Sequence, residues 1–171
     1  QTGRKSEAVE ANQTAVELSP TDAAAHSNLG IILQELGRLY EAEASLNQAI
    51  SLKPDFAEAH YNLGNTLQEL GKLEEAIASY DQAIALRPNY PEAHSNLGNT
   101  LKDLDRLDES IASYNQAIAL KPDYAEAHSN LGVTFQELGR LDEAEVTASQ
   151  AIILNPYFAE AHYNLGNTLQ E

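Results

Sequence analysis

One residue type recurs at a spacing that could do chemistry. Asn28, Asn62, Asn96, Asn130 and Asn164 stand 34 residues apart. Each sits in a helix-periodic stretch, although Asn is a mediocre helix former. An Asn amide carries both an acceptor and donors. A column of them can hydrogen-bond the peptide groups of an extended chain without reading its side chains. One helical turn further along come Asn65, Asn99 and Asn167, with Ile31 and Val133 at that place in the other two copies. Tyr61 and Tyr163 flank the column, alternating with Ser27, Ser95 and Ser129. The competing reading is structural: the same Asn caps helices or bridges neighbouring copies.

A second column is His26, His60, His94, His128 and His162. Ligands on one zinc bond at about 2 Å, whereas packed helices lie about 8–10 Å apart. No second His or Cys falls within a turn of any of these His. The column is therefore expected to pack between hairpins, and no metal or cofactor is expected. No nucleophile motif, Gly-rich phosphate loop or isolated carboxylate pair is present, so the chain reads as non-enzymatic.

The elements that must position these residues follow from one unit, residues 57–90. Ala59, Leu63, Leu67 and Leu70 are spaced as one helical face. Gly71 can end that helix in the left-handed conformation. Leu73, Ala76, Ile77, Tyr80, Ala83 and Ile84 give a second helical face, and Pro88 stops it. The small residues Gly64, Ala76 and Ala83 let the two backbones approach. The chain writes this unit repeatedly, as a period of 34 in stacked helical hairpins does. Residues 1–22 match a second helix; residues 23–56, 57–90, 91–124 and 125–158 are full copies; residues 159–171 match a first helix. The reading is a single array over 1–171.

The copies differ in places that carry expectations. Asp105 replaces the turn Gly, and Asp tolerates the left-handed state, so the turn should survive. Glu145 and Ala148 replace Ile77 and Tyr80, so the fourth hairpin should pack more loosely. Asp55 with Glu58, Asn89 with Glu92, and Asp123 with Glu126 read as capping boxes.

Leu63, Gly64, Leu67, Ala76, Tyr80, Ala83 and Pro88, in this order and at this period, resemble the tetratricopeptide repeat, with His60 where that family often has Trp. The run NLGN followed by an EAIA-type second helix is most similar to the superhelical repeats of O-linked N-acetylglucosamine transferases and their prokaryotic relatives. The resemblance spans the whole chain. It implies an all-α fold, a right-handed superhelical solenoid of antiparallel helix hairpins, with the first helices lining the concave face. In those transferases an Asn ladder at these positions holds peptide backbone. Carried over, the peptide-binding set is Asn28, Asn62, Asn96, Asn130 and Asn164, with Asn65, Asn99, Tyr61 and Tyr163 beside them. Four steps of about 8–10 Å span roughly 32–40 Å, enough for about ten to twelve extended residues. Glu58, Glu92, Glu126 and Glu160 edge this face, and Lys102 is the one basic residue placed there, so the family's basic clamp for a C-terminal carboxylate is not expected.

The charge agrees with a peptide of neutral-to-basic character. The chain has 26 acidic and 10 basic residues, a formal charge of −16. Nucleic acid and anionic membrane want a positive surface and are excluded as partners. Cys is absent, so there is no disulfide and no thiolate site. No apolar run approaches a membrane span and no signal segment opens the chain, which leads to an expectation of a cytoplasmic protein. The first residue is Gln, read as a fragment or processed product.

The expected function is a non-catalytic scaffold that binds extended peptide segments. The alternatives are a substrate-recruiting arm of a glycosyltransferase, or a spacer that self-associates end to end through its unpaired terminal helices.

Overall fold

The computed structural model describes residues 2–170, with side chains from residue 7 onward. Among the described residues there are ten helices and no strand: α1 Thr2–Leu18, α2 Ala23–Glu35, α3 Leu39–Leu52, α4 Ala57–Glu69, α5 Leu73–Leu86, α6 Pro91–Asp103, α7 Leu107–Leu120, α8 Ala125–Glu137, α9 Leu141–Leu154 and α10 Ala159–Thr168. No helix among them is long and apolar enough to cross a membrane. They group into two compact units, residues 1–88 and 89–171.

In the first unit α2 pairs with α3 and α4 with α5; α1 packs on α2, α3 on α4, and α2 also touches α4. In the second, α6 pairs with α7 and α8 with α9; α7 packs on α8, α9 on α10, and the first helices α6, α8 and α10 touch in succession. Within each unit, a first helix that has a hairpin partner therefore meets both that partner and a neighbouring first helix. The cores are small and local. Val9, Leu29, Leu33 and Ala42 form one in the first unit, and Tyr114, Leu131, Phe135 and Ala144 one in the second. Such nearest-neighbour packing is what a repeat protein uses in place of a single central core.

Three of the four hairpins close through a small residue against a large one. Gly64 faces Tyr80, Gly98 faces Tyr114 and Gly30 faces Leu46, and a Cβ on these glycines would lie 2.6, 2.8 and 2.6 Å from the opposing side chain. Tyr80, Tyr114 and Leu46 are completely buried as a result. At the turn, Gly71 takes φ 73°, its N–H bonds Gln68 O at 2.9 Å, and Lys72 N–H bonds Leu67 O at 2.9 Å. These are the two bonds of a Schellman helix end. Asp105 takes φ 59°, its N–H bonds Lys102 O at 2.8 Å, and Arg106 N–H bonds Leu101 O at 2.9 Å. The turn survives the loss of Gly, as expected.

Two sequence expectations are corrected. The capping boxes at Asp55, Asn89 and Asp123 do not form: the residues that cap the helices are Phe56, Tyr90 and Tyr124, one position later, and none makes a side-chain cap bond. The carboxylates meant to close two of the boxes go elsewhere, Glu58 to Arg87 and Glu92 to Lys121. From α2 to α10, only α2 has a side-chain cap, Asp22 accepting from Ala24 N–H at 2.9 Å. The His column is not simply inter-hairpin filling either. The Nε2–H of His26, His60 and His162 donates to the carbonyl of Pro20, Pro54 and Pro156 at 3.0 Å, and His128 to Pro122 at 3.2 Å. Each ring straps the loop that enters its own first helix.

Candidate functional site

The Asn column lies on the first helices, and its members differ in how they are engaged. In the first unit, Asn28 is exposed and Asn62 half-buried, and neither amide has a hydrogen-bond partner among the described residues. Asn65, one turn after Asn62, is held: its Oδ1 accepts from the buried Tyr80 hydroxyl at 2.8 Å, and Gln68 Oε1 lies 3.0 Å from the same hydroxyl. Tyr61 is half-buried with its ring 6.1 Å from that of Tyr80, tilted by 52°.

In the second unit the column bridges neighbouring copies. Asn130 Nδ2 donates to Asn99 Oδ1 at 3.0 Å, joining α8 to α6. Asn164 Nδ2 donates to Ser129 Oγ at 3.1 Å, joining α10 to α8, and Asn164 is only 7% exposed. Asn99 Oδ1 also accepts from the Tyr114 hydroxyl at 2.5 Å. The structural alternative for the column therefore operates at Asn130 and Asn164. Asn96 is half-buried and already engaged. At Asn99 and Asn130 the network leaves polar atoms over: both N–H groups of Asn99, and the Oδ1 of Asn130. Both residues are half-buried, so those atoms stand at a surface of limited hydration. Tyr163 lies on α10, 69% exposed.

Sequence reading missed what orders these amides. Asn65 and Asn99 stand 15 residues before Tyr80 and Tyr114. Where the second helix instead carries Leu46 or Ala148, the partner place is Ile31 or Val133. The polar and apolar pairs switch together, a signal present in the sequence but visible only across the hairpin. A third column also escaped notice. The hydroxyls of Thr66, Thr100, Thr134 and Thr168 donate to the backbone carbonyls of Asn62, Asn96, Asn130 and Asn164 at 2.9–3.0 Å. These buried hydroxyls satisfy themselves within their own helix, so they can sit in the packed face at little cost.

Burial pushes the pKa of the Tyr114 hydroxyl well up; Asp103 and Glu137 add to the rise, and Ser110 opposes it. The phenol thus stays an O–H donor at any working pH. Of the acidic edge, Glu58 is held below the usual carboxylate range by its bond to the Arg87 guanidinium. Lys102, the one base placed on this face, lies 3.8 Å from Glu137. A hollow of about 500 Å³ in the second unit is lined by Gln136, Glu137, Asn167 and Gln170. Gln136 is fixed beside it by donating to Thr168 Oγ1 at 2.6 Å.

With this geometry in hand, comparison with known proteins is decisive for the family. The family described as "TPR repeat" matches residues 1–37, 32–71, 65–105 and 98–139, and "Tetratricopeptide repeat" matches 125–158. The chain belongs to the tetratricopeptide repeat family. Solved structures agree. MamA is 26% identical over 93% of this chain and 93% of its own, with a TM-score of 0.84. YrrB, described as a TPR protein with an unusual peptide-binding site, is 26% identical over 95% of this chain and 84% of its own, with a TM-score of 0.79. TTC0263, a thermophilic TPR protein of Thermus thermophilus, 24% identical over 99% and 93%, shares the fold at a TM-score of 0.77. Among curated proteins the sequence finds no match. Tetratricopeptide repeats are in general protein-interaction scaffolds.

Proposed function

We propose that this chain is a non-catalytic protein-interaction module that binds extended peptide segments through the Asn-bearing faces of its first helices. The observation that carries this reading is the pair of unspent amide groups at Asn99 and Asn130, held in place by a network that uses their other atoms. A residue serving only to bridge helices has no need of a second, free hydrogen-bonding end at a half-buried surface. Asn28 and Asn62 offer the same capacity in the first unit. The similarity to YrrB, whose description names a peptide-binding site, supports the same class of ligand. The chain's excess of acidic residues favours a neutral-to-basic peptide. The glycosyltransferase-arm alternative rests on sequence resemblance alone.

The test is an array of random-sequence peptides of about twelve residues, the length set by the sequence estimate. It compares wild type with the triple variant Asn62→Ala/Asn96→Ala/Asn130→Ala, after matching helicity and melting. We expect a set of neutral-to-basic peptides to bind wild type and to be lost from the variant. An unchanged set, or no binder at all, overturns the reading.

A further inference from the structure

The free ends of Asn99 and Asn130 are not equivalent, and one buried side chain decides which is which. Asn99 Oδ1 is spent twice, on the Tyr114 hydroxyl and on Asn130 Nδ2. Its amide nitrogen is left with two N–H groups. Asn130 has spent one N–H and keeps its carbonyl oxygen. Reversing both amides would exchange these roles, presenting an acceptor at Asn99 and a donor at Asn130. That reversed order would place an amide N–H against Tyr114, whose ring is fully buried and whose hydroxyl remains protonated. The hydroxyl would then have to find another acceptor.

We propose that Tyr114 is a positioning residue: by donating to Asn99 it fixes both amides, so that a ligand meets an N–H donor at Asn99 beside a carbonyl acceptor at Asn130. This rests on the peptide-binding reading and adds the chemistry that reading lacked. One residue of an extended chain presents its C=O and N–H on the same side, as strands do when they pair. The ordered pair complements that edge. The ligand group selected is therefore a backbone C=O with its neighbouring N–H, not a side-chain carboxylate, which has no N–H to give Asn130.

The internal comparison of the repeats points the same way. In the four copies that carry both helices, Asn occupies the amide place where the second helix supplies a Tyr hydroxyl; opposite Leu46 and Ala148 the chain has Ile31 and Val133. The simplest counter-reading is that Asn exists to satisfy the Tyr, with nothing bound. Asn99→Asp separates the two. An Asp carboxylate accepts from both Tyr114 and Asn130, so it keeps the network. It has no N–H to offer a ligand.

The experiment uses the same peptide array with wild type, Tyr114→Phe, Asn99→Asp and the triple Asn variant. Tyr114→Phe keeps the ring against Gly98 and removes only the hydroxyl. We expect it to weaken the wild-type binders by about three- to tenfold. Asn99→Asp should weaken neutral and basic peptides alike, although its added negative charge alone would tighten the basic ones. Side-chain amide exchange supplies a readout that packing does not move: the bonded N–H of Asn130 should exchange faster in Tyr114→Phe and stay slow in Asn99→Asp. Binding unchanged in Tyr114→Phe, or basic peptides bound more tightly by Asn99→Asp, overturns the proposal. Should Tyr114→Phe not fold, Asn99→Asp alone decides. If the triple variant loses binding while these two keep it, only this inference falls; if the triple variant binds like wild type, the peptide-binding reading falls with it.

Discussion

At the scale of single residues, the glycines of one column do not all face the same neighbour. A Cβ on Gly64 would lie 2.6 Å from Tyr80 Cε1, and on Gly98 2.8 Å from Tyr114 Cε1, whereas on Gly166 it would meet nothing within 4 Å. Crowding a packed site costs about 1–3 kcal/mol, while Ala gains about 1 kcal/mol over Gly inside a helix. Gly166→Ala has only the gain. Gly64→Ala has the crowding as well, against a ring that is completely enclosed. The two variants should therefore differ by about 1–3 kcal/mol in urea unfolding, with Gly166→Ala the more stable. Equal effects would mean that the hairpin does not close on Gly64. Periodicity alone could name these glycines but not separate them, because the difference lies in what each faces. The same limit hid the Tyr114 and Asn99 bond. A column of 34-residue spacing shows identity along the array, whereas this contact joins two columns 15 residues apart.

At the scale of elements, the hairpins were legible because apolar period, turn residue and stop residue agree in every copy. Even Asp105 was readable, since its demand is a left-handed φ that Asp can meet. The helix starts were not. Asp55 and Glu58 have capping-box spacing, but the helix begins at Ala57, one residue out of register with the box. Glu58 instead binds Arg87, the residue that caps the end of α5 in its own hairpin. That bond depends on pH in a known direction. Arg87 lowers the Glu58 pKa, so the stabilisation is present above the ordinary carboxylate value and is lost as pH falls through the lowered one. Both side chains are more than a third exposed, at 41% for Arg87 and 45% for Glu58, so the pair contributes within about 1 kcal/mol. Glu58→Gln should be slightly less stable than wild type at neutral pH. The gap should close in acid, as Glu58 itself becomes protonated. Paired thermal melts across the acid range measure it, and a gap that widens in acid would show that Arg87 does not hold this carboxylate.

At the scale of the whole molecule, the dominant property is a formal charge of −16 on 171 residues. Three of the arginines are already spent on glutamates three residues along, Arg38 on Glu41, Arg106 on Glu109 and Arg140 on Glu143. The surplus is thus carboxylate without local compensation, and it acts over distances set by salt. At about 0.1 M ionic strength the screening length is about 10 Å, comparable with the spacing of packed helices. Two consequences have opposite signs. Self-repulsion destabilises the fold, so the melting temperature should rise as salt is added. Attraction speeds the approach of a basic ligand, so its association rate should fall under the same change. Amide hydrogen bonds are short-ranged, and salt should affect dissociation far less. For a basic peptide of about twelve residues, stopped-flow mixing between ~20 and ~200 mM salt should show association slowing several-fold with a nearly constant off-rate. An acidic peptide of equal length should show association quickening instead. If salt changes chiefly the off-rate, the charged side chains are part of the bound contact, and backbone recognition by the Asn amides is not what holds the ligand.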